Sequence, residues 1–169
     1  MNGGALLLKW IIGLAAAGAL CLFGLLALVK TEQHVGVGGE IQWDDFGFSV
    51  LEHRTEKHIG DLAPKGIFHV VRLEVRNHAL RVPYRLDNHR PVVVDEAGRE
   101  YEVDAAAQKA IDPAWPHRGE IEHGTSSASD LVFDVPSDEQ NLHLRVSWGG
   151  GLIDFLDEHV FGPRDIALN

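Results

Sequence analysis

The sequence predicts an all-β fold, an antiparallel sandwich, and three observations carry that prediction. Leu131, Phe133 and Val135 alternate with Val132 and Asp134; Pro136-Ser137-Asp138 breaks the run; Leu142, Leu144, Val146 and Trp148 then alternate with His143, Arg145 and Ser147. Period two, interrupted and resumed, is the signature of two strands that each bury one face. Ile67–Asn77 repeats the pattern, with Val71, Leu73 and Val75 on one side and Arg72, Glu74 and Arg76 on the other. A helical period would scatter those charges around the axis. Beyond Lys30 there is neither a long helical period nor a strand–helix–strand rhythm, so the strands pair by short turns.

The chain begins differently. Trp10–Val29 is twenty residues without a charge. At about 1.5 Å per residue a helix of that length spans roughly 30 Å, the hydrocarbon core of a bilayer. Three readings compete. A cleaved secretory signal would use Ala17-Gly18-Ala19, yet the apolar run continues well past it. A lipoprotein anchor would use Cys21, yet Leu20 stands where a small residue is needed. An uncleaved transmembrane anchor fits the length best. Lys9 before the segment and Lys30 after it, the latter followed by Glu32, favour a cytoplasmic N-terminus of residues 1–9 by a narrow positive-inside margin. The remainder is then expected outside the cytoplasm. Gly13, Ala17 and Gly24 fall on one side of such a helix, where small residues allow close helix approach.

Charge excludes some partners. Of fifteen Lys and Arg, Lys9 and Lys30 flank the apolar segment, leaving thirteen against twenty-five acids, a net −12 with His neutral. A domain so acidic repels nucleic acid and anionic lipid headgroups. Cys21 is the one cysteine, so no disulfide forms within the chain. A domain of this size buries enough core without one.

In order along the chain, Lys30–Glu40 is polar and Gly-rich and reads as a linker. The sandwich is expected over 41–148. Ile41–Trp43 and Phe46–Glu52 are short strands parted by Asp44-Asp45, and Arg54–Lys65 reads as a loop. Tyr84–Leu86 is a short strand. Val92–Val94, a turn at Asp95-Glu96-Ala97-Gly98, and Arg99–Val103 form a hairpin. Asp104 caps one or two helical turns that Pro113 stops. Ala114–Thr125 is a long loop before the two strands described first. The last part, 149–169, is a C-terminal helix and tail. Within it Leu152–Phe161 has the spacing of a short amphipathic helix, and Ile166–Leu168 is an edge strand or a loose end.

Several of these stretches, VRLEVRN at 71–77, VVVDEAGREY at 92–101, HGT at 123–125, LVFDVP at 131–136 and LHLRVSW at 142–148, occur in an order that resembles a known family. It is the immunoglobulin-like, telokin-like, immunoprotective-antigen type of extracytoplasmic domain found in bacterial membrane-anchored and lipoprotein-type proteins. The resemblance covers about Gly66–Trp148. It implies an immunoglobulin-like β-sandwich outside the cytoplasm, behind an N-terminal anchor, with no catalytic residues to carry over. This chain lacks the lipobox and adds Gly149–Phe161. The matched residues have structural readings: Gly98 supplies a turn angle, Tyr101 buries its ring beside a polar partner, and Pro136 ends a strand.

Chemistry-bearing constellations are sparse. Ten histidines are present, but the nearest pairs, His53/His58 and His117/His123, lack the tight spacing of metal ligands. His117, Glu120 and His123 are the best candidates for a metal site, and no cofactor is expected. Protonation of the ten imidazoles cuts the net negative charge between about pH 7 and pH 5. Ser126, Ser127 and Ser129 follow His123 without a nucleophile elbow or triad order. Gly149-Gly150-Gly151 lacks the Lys and Ser/Thr of a phosphate loop. The sequence thus points to a non-catalytic, membrane-anchored module that binds a protein or cell-envelope partner. The alternative is an extracytoplasmic ligand or metal sensor using its histidines.

Overall fold

Two sheets pack face to face in the computed structural model, which describes Gly13, Gly18 and residues 33–85, 89–114, 119–148 and 164–169. One sheet has four strands: β2 (Glu40–Trp43), β3 (Phe46–Glu56), β4 (Ile67–Asn77) and β9 (Ser126–Val135), in the order β2-β3-β4-β9. The other has five: β1 (Gln33–Val35), β11 (Arg164–Ala167), β10 (His143–Trp148), β6 (His89–Val94) and β7 (Glu100–Tyr101), neighbours in that order. A small third ladder joins β5 (Tyr84–Arg85) to β8 (Glu120–Ile121), and one helix, α1 (Ala105–Ile111), lies beside β9. Pairing is antiparallel except between β1 and β11, which run parallel.

The alternation read from the sequence is the burial pattern of the sheets. Val71, Leu73 and Val75 of β4 join Phe48, Val50, Leu131, Phe133, Leu144, Val146 and Ile166 in one core between the sheets. β3 is longer than expected because the ladder shifts register between Val50 and Glu52. A bulge there leaves Leu51 outside, at 45% exposure, and resets the alternation, which hid the strand's second half within the expected Arg54–Lys65 loop.

α1 begins at Asp104, whose carboxylate accepts from the Ala107 N–H, and ends before Pro113. It covers the outer face of β9. Val132 is fully buried there with Ile59, Phe68, Val70 and Ala107 in a second core. The expectation of one buried face for β9 is therefore corrected. The helix also protects the sheet's edge. Gln108 donates to the Asp130 carbonyl at 2.8 Å and accepts from the Val132 N–H at 2.9 Å, filling in for a missing neighbour strand.

The expected limits also move. The linker at 30–40 contains β1 and the first residue of β2, and the loop 114–125 contains β8. Ile166–Leu168 is no edge: β11 sits between β1 and β10 and buries Ile166 completely. The sandwich thus extends past 41–148 on both sides, because segments too short to show a period find partners in each other. Within Trp10–Val29 only Gly13 and Gly18 are described, both helical. Among the described residues no helix is long and apolar enough to cross a membrane. The spanning segment as a whole, Leu86 and the expected helix over Leu152–Phe161 lie outside the described residues.

Candidate functional site

Glu120 and His123, of the three expected metal ligands, are described; His117 lies outside the described residues. Glu120 sits on β8 and pairs with Arg85 at 3.8 Å, while His123 is exposed in the turn that leads into β9. Among the described residues no three His, Cys, Asp or Glu side chains gather as a metal centre.

The polar cluster that the tertiary structure does build is a histidine pair. His53 on β3 and His69 on β4 point between the sheets, and their rings stack 5.1 Å apart at 14°. His53 Nε2 lies 2.9 Å from His69 Nδ1, and His53 Nδ1 lies 2.5 Å from the Leu168 carbonyl. A carbonyl only accepts, so Nδ1 of His53 carries the proton, and in the neutral pair His69 donates to His53 Nε2. Burial first, and the neighbouring His53 second, push His69 down to about 4. The pair therefore ties Leu168 to the middle of the opposite sheet. Sequence reading missed it because the two residues are sixteen apart and meet only through the β3–β4 register.

The other buried polar groups hold loops. Asp95 has a fully hidden carboxylate at the start of the β6–β7 turn. It accepts from the N–H groups of Ala97 and Arg99, from the Arg99 guanidinium and from the Tyr101 hydroxyl. Burial disfavours its charge, but these hydrogen bonds outweigh burial and hold its pKa below the usual carboxylate range. Gly98, at φ 76°, closes the same turn, as expected. Asn77 closes the end of β4: its amide donates to the carbonyls of Val82 and Ile121 and accepts from the Ala79 N–H. Asp165 receives Arg145 through two bonds of 2.9 Å across the β10–β11 ladder. Asp134 accepts from the N–H groups of Lys65 and Gly66, where a Cβ on Gly66 would lie 2.1 Å from the Val135 carbonyl oxygen.

Two concavities stand out among the described residues. One, about 130 Å³, lies between β9 and β8 and is lined by Ser126, Ser127, Ser129, Thr125 and Glu120. Ser126 there donates to Glu74 at 3.0 Å. The other is an open groove of about 510 Å³ beside α1, lined by Lys65, Tyr101, Asp104 and Asp134. Its Asp104 caps the helix and its Asp134 is taken up by backbone N–H groups.

The fold and these structural polar groups define a β-sandwich domain. The chain belongs to the family described as a domain of unknown function (DUF4352), which matches residues 35–153. Two solved structures share the fold. One is an uncharacterised β-sandwich protein from Clostridium difficile 630, 12% identical, with a TM-score of 0.51, covering 83% of this chain and 96% of its own. The other is a secreted protein from Mycobacterium tuberculosis, MPT63, 16% identical, also with a TM-score of 0.51, covering 80% and 95%. No curated protein matches the chain.

Proposed function

We propose that the chain is a single-pass membrane protein whose immunoglobulin-like, telokin-like sandwich stands outside the cytoplasm. It acts there as a non-catalytic module that binds a protein or cell-envelope partner. One observation carries this reading: the uncharged stretch Trp10–Val29 is followed, after only residues 30–32, by the first strand of the sandwich. A segment of spanning length joined so closely to a folded body makes an anchor and its cargo. Supporting it, Asp95, Asp165, Asn77 and Gln108 are engaged in holding turns, strands and an edge, which leaves them no free chemistry. The acidic surface disfavours nucleic acid. The likeness in fold to a secreted protein fits an exterior location.

The test is a membrane fractionation combined with a reporter enzyme that works only outside the cytoplasm, fused after Asn169. The chain is expected in the carbonate-resistant membrane fraction with an active reporter. An inactive reporter, or the full-length chain in the soluble cytoplasm, overturns the reading. Cross-linking in intact cells then identifies the partner.

A second reading is an extracytoplasmic ligand or metal sensor that uses surface histidines, His117 and His123 foremost. It requires a thermal shift with Zn²⁺ or Cu²⁺ that is lost on replacing the histidines involved. Unchanged melting across both metals removes it.

A further inference from the structure

We infer that the loop His78–Pro83 is a membrane-contact loop, which sets Leu80 and Val82 into the surface of the phospholipid bilayer holding the N-terminal anchor. The inference rests on the anchored reading above and adds which end of the sandwich meets lipid.

Two aliphatic side chains are out of place in this loop. Leu80 is 87% exposed and Val82 58%, while Ala79 beside them is buried. The loop does not present them by chance looseness. Asn77 holds the Val82 carbonyl at 2.8 Å and the Ala79 N–H at 2.9 Å, and the His78 N–H donates to the Asp45 carbonyl at 2.8 Å. Backbone on both sides of Leu80 is thus fixed, and the two apolar groups are held outward with exposed Arg81 between them.

The position of this loop relative to the anchor follows from strand register. Gln33 lies opposite Arg164, and the Arg164 guanidinium lies 4.3 Å over the Trp43 ring. Trp43 pairs with Phe46, and Phe46 pairs with Asn77, the residue from which the loop departs. The chain therefore enters the sandwich at the end that carries Leu80 and Val82. Only residues 30–32 separate Val29 from Gln33, and the four steps from one to the other reach at most about 14 Å. That end must lie against the membrane surface when Trp10–Val29 spans it.

Chemistry agrees with lipid as the occupant. Two aliphatics flanking one arginine suit the interface, with apolar groups among the acyl chains and a guanidinium at the headgroup phosphates. Two side chains are too few to bring a free, acidic domain to a membrane. They suffice once a tether makes the contact intramolecular.

The experiment uses the full chain reconstituted in phosphatidylcholine nanodiscs, with Cys21→Ser and a single environment-sensitive probe introduced by Leu80→Cys. A second protein carries the probe by Glu96→Cys, an exposed position in the β6–β7 turn at the far end, about 20 Å away along β6. Spin-labelled lipid is expected to quench the probe at position 80 several-fold more than at 96, and Arg81→Glu to reduce that difference. Equal quenching at the two positions in a carbonate-resistant chain overturns the membrane contact and leaves the anchor standing. A blue-shifted probe at 80 that lipid does not quench means that protein, such as the chain's own 149–163 segment or a second copy, covers the loop, and also overturns it. A chain released by carbonate overturns the anchor and this inference together.

Discussion

At the residue scale, His69 and Asp95 behave in opposite ways and each makes a prediction. His69 is held near 4 in the fold and returns to about 6.5 in the unfolded chain. Below pH 6.5 the unfolded chain takes up a proton that the native ring refuses, so stability is lost as pH falls from 6.5 towards 4. The loss is on the order of 1–2 kcal/mol after allowance for solvent screening. Urea unfolding at pH 7 and pH 5 measures it, and His69→Leu is expected to flatten the difference. Asp95 has four donors and Tyr101 supplies one of them. Asp95→Asn is therefore expected to lower the thermal midpoint clearly more than Tyr101→Phe, because the amide turns a donor towards donors. A larger loss from Tyr101→Phe would show that ring packing, not the carboxylate, holds the turn.

At the scale of elements, α1 covers the second core with Ala107 and guards the edge of β9 with Gln108. β9 is the outermost strand of its sheet, and part of its free edge is already met just before the helix, where Val103 bridges Phe133 and the Asp104 N–H donates to the Val132 carbonyl at 2.8 Å. Gln108 supplies the Asp130 carbonyl and the Val132 N–H with partners while buried at 1% exposure. Gln108→Leu keeps the volume and removes both bonds, and is expected to cost about 2–3 kcal/mol in chemical unfolding. It should also increase self-association, read by light scattering, since the freed edge can pair. The helix itself was legible, from Asp104 before Ala105-Ala106-Ala107 and Pro113 after. Its role was not, because the partner carbonyl and N–H are twenty-two and twenty-four residues away.

At the scale of the molecule, the two ends of the described sandwich depend on each other. β1 pairs only with β11 in its sheet, and β11 lies between β1 and β10. Ile166 and Leu168 are buried, the Leu168 N–H donates to the Leu142 carbonyl at 2.9 Å, and His53 holds the Leu168 carbonyl. Deleting residues 164–169 is expected to abolish a cooperative thermal transition by circular dichroism and leave an aggregating chain. A truncated protein that melts as the full one does would show that the five-stranded sheet is complete without β11. If the N-terminal segment is the anchor, this parallel pair is also the joint through which the tether holds the body.

The alternating residues of β4, β9 and β10, the Asp95–Gly98 turn, the Asp104 cap and the uncharged stretch Trp10–Val29 were all readable in sequence. Each is a local pattern whose physical meaning lies within one contiguous stretch of the chain: a period, a turn angle, a capping oxygen or an apolar length. The β1–β11 pairing, the second core under α1, the edge bonds of Gln108 and the His53–His69–Leu168 chain were decided only in three dimensions. They join residues far apart along the chain, on strands too short or too polar to announce themselves. Burial and hydrogen bonding there are properties of the register between sheets, and no single segment carries them.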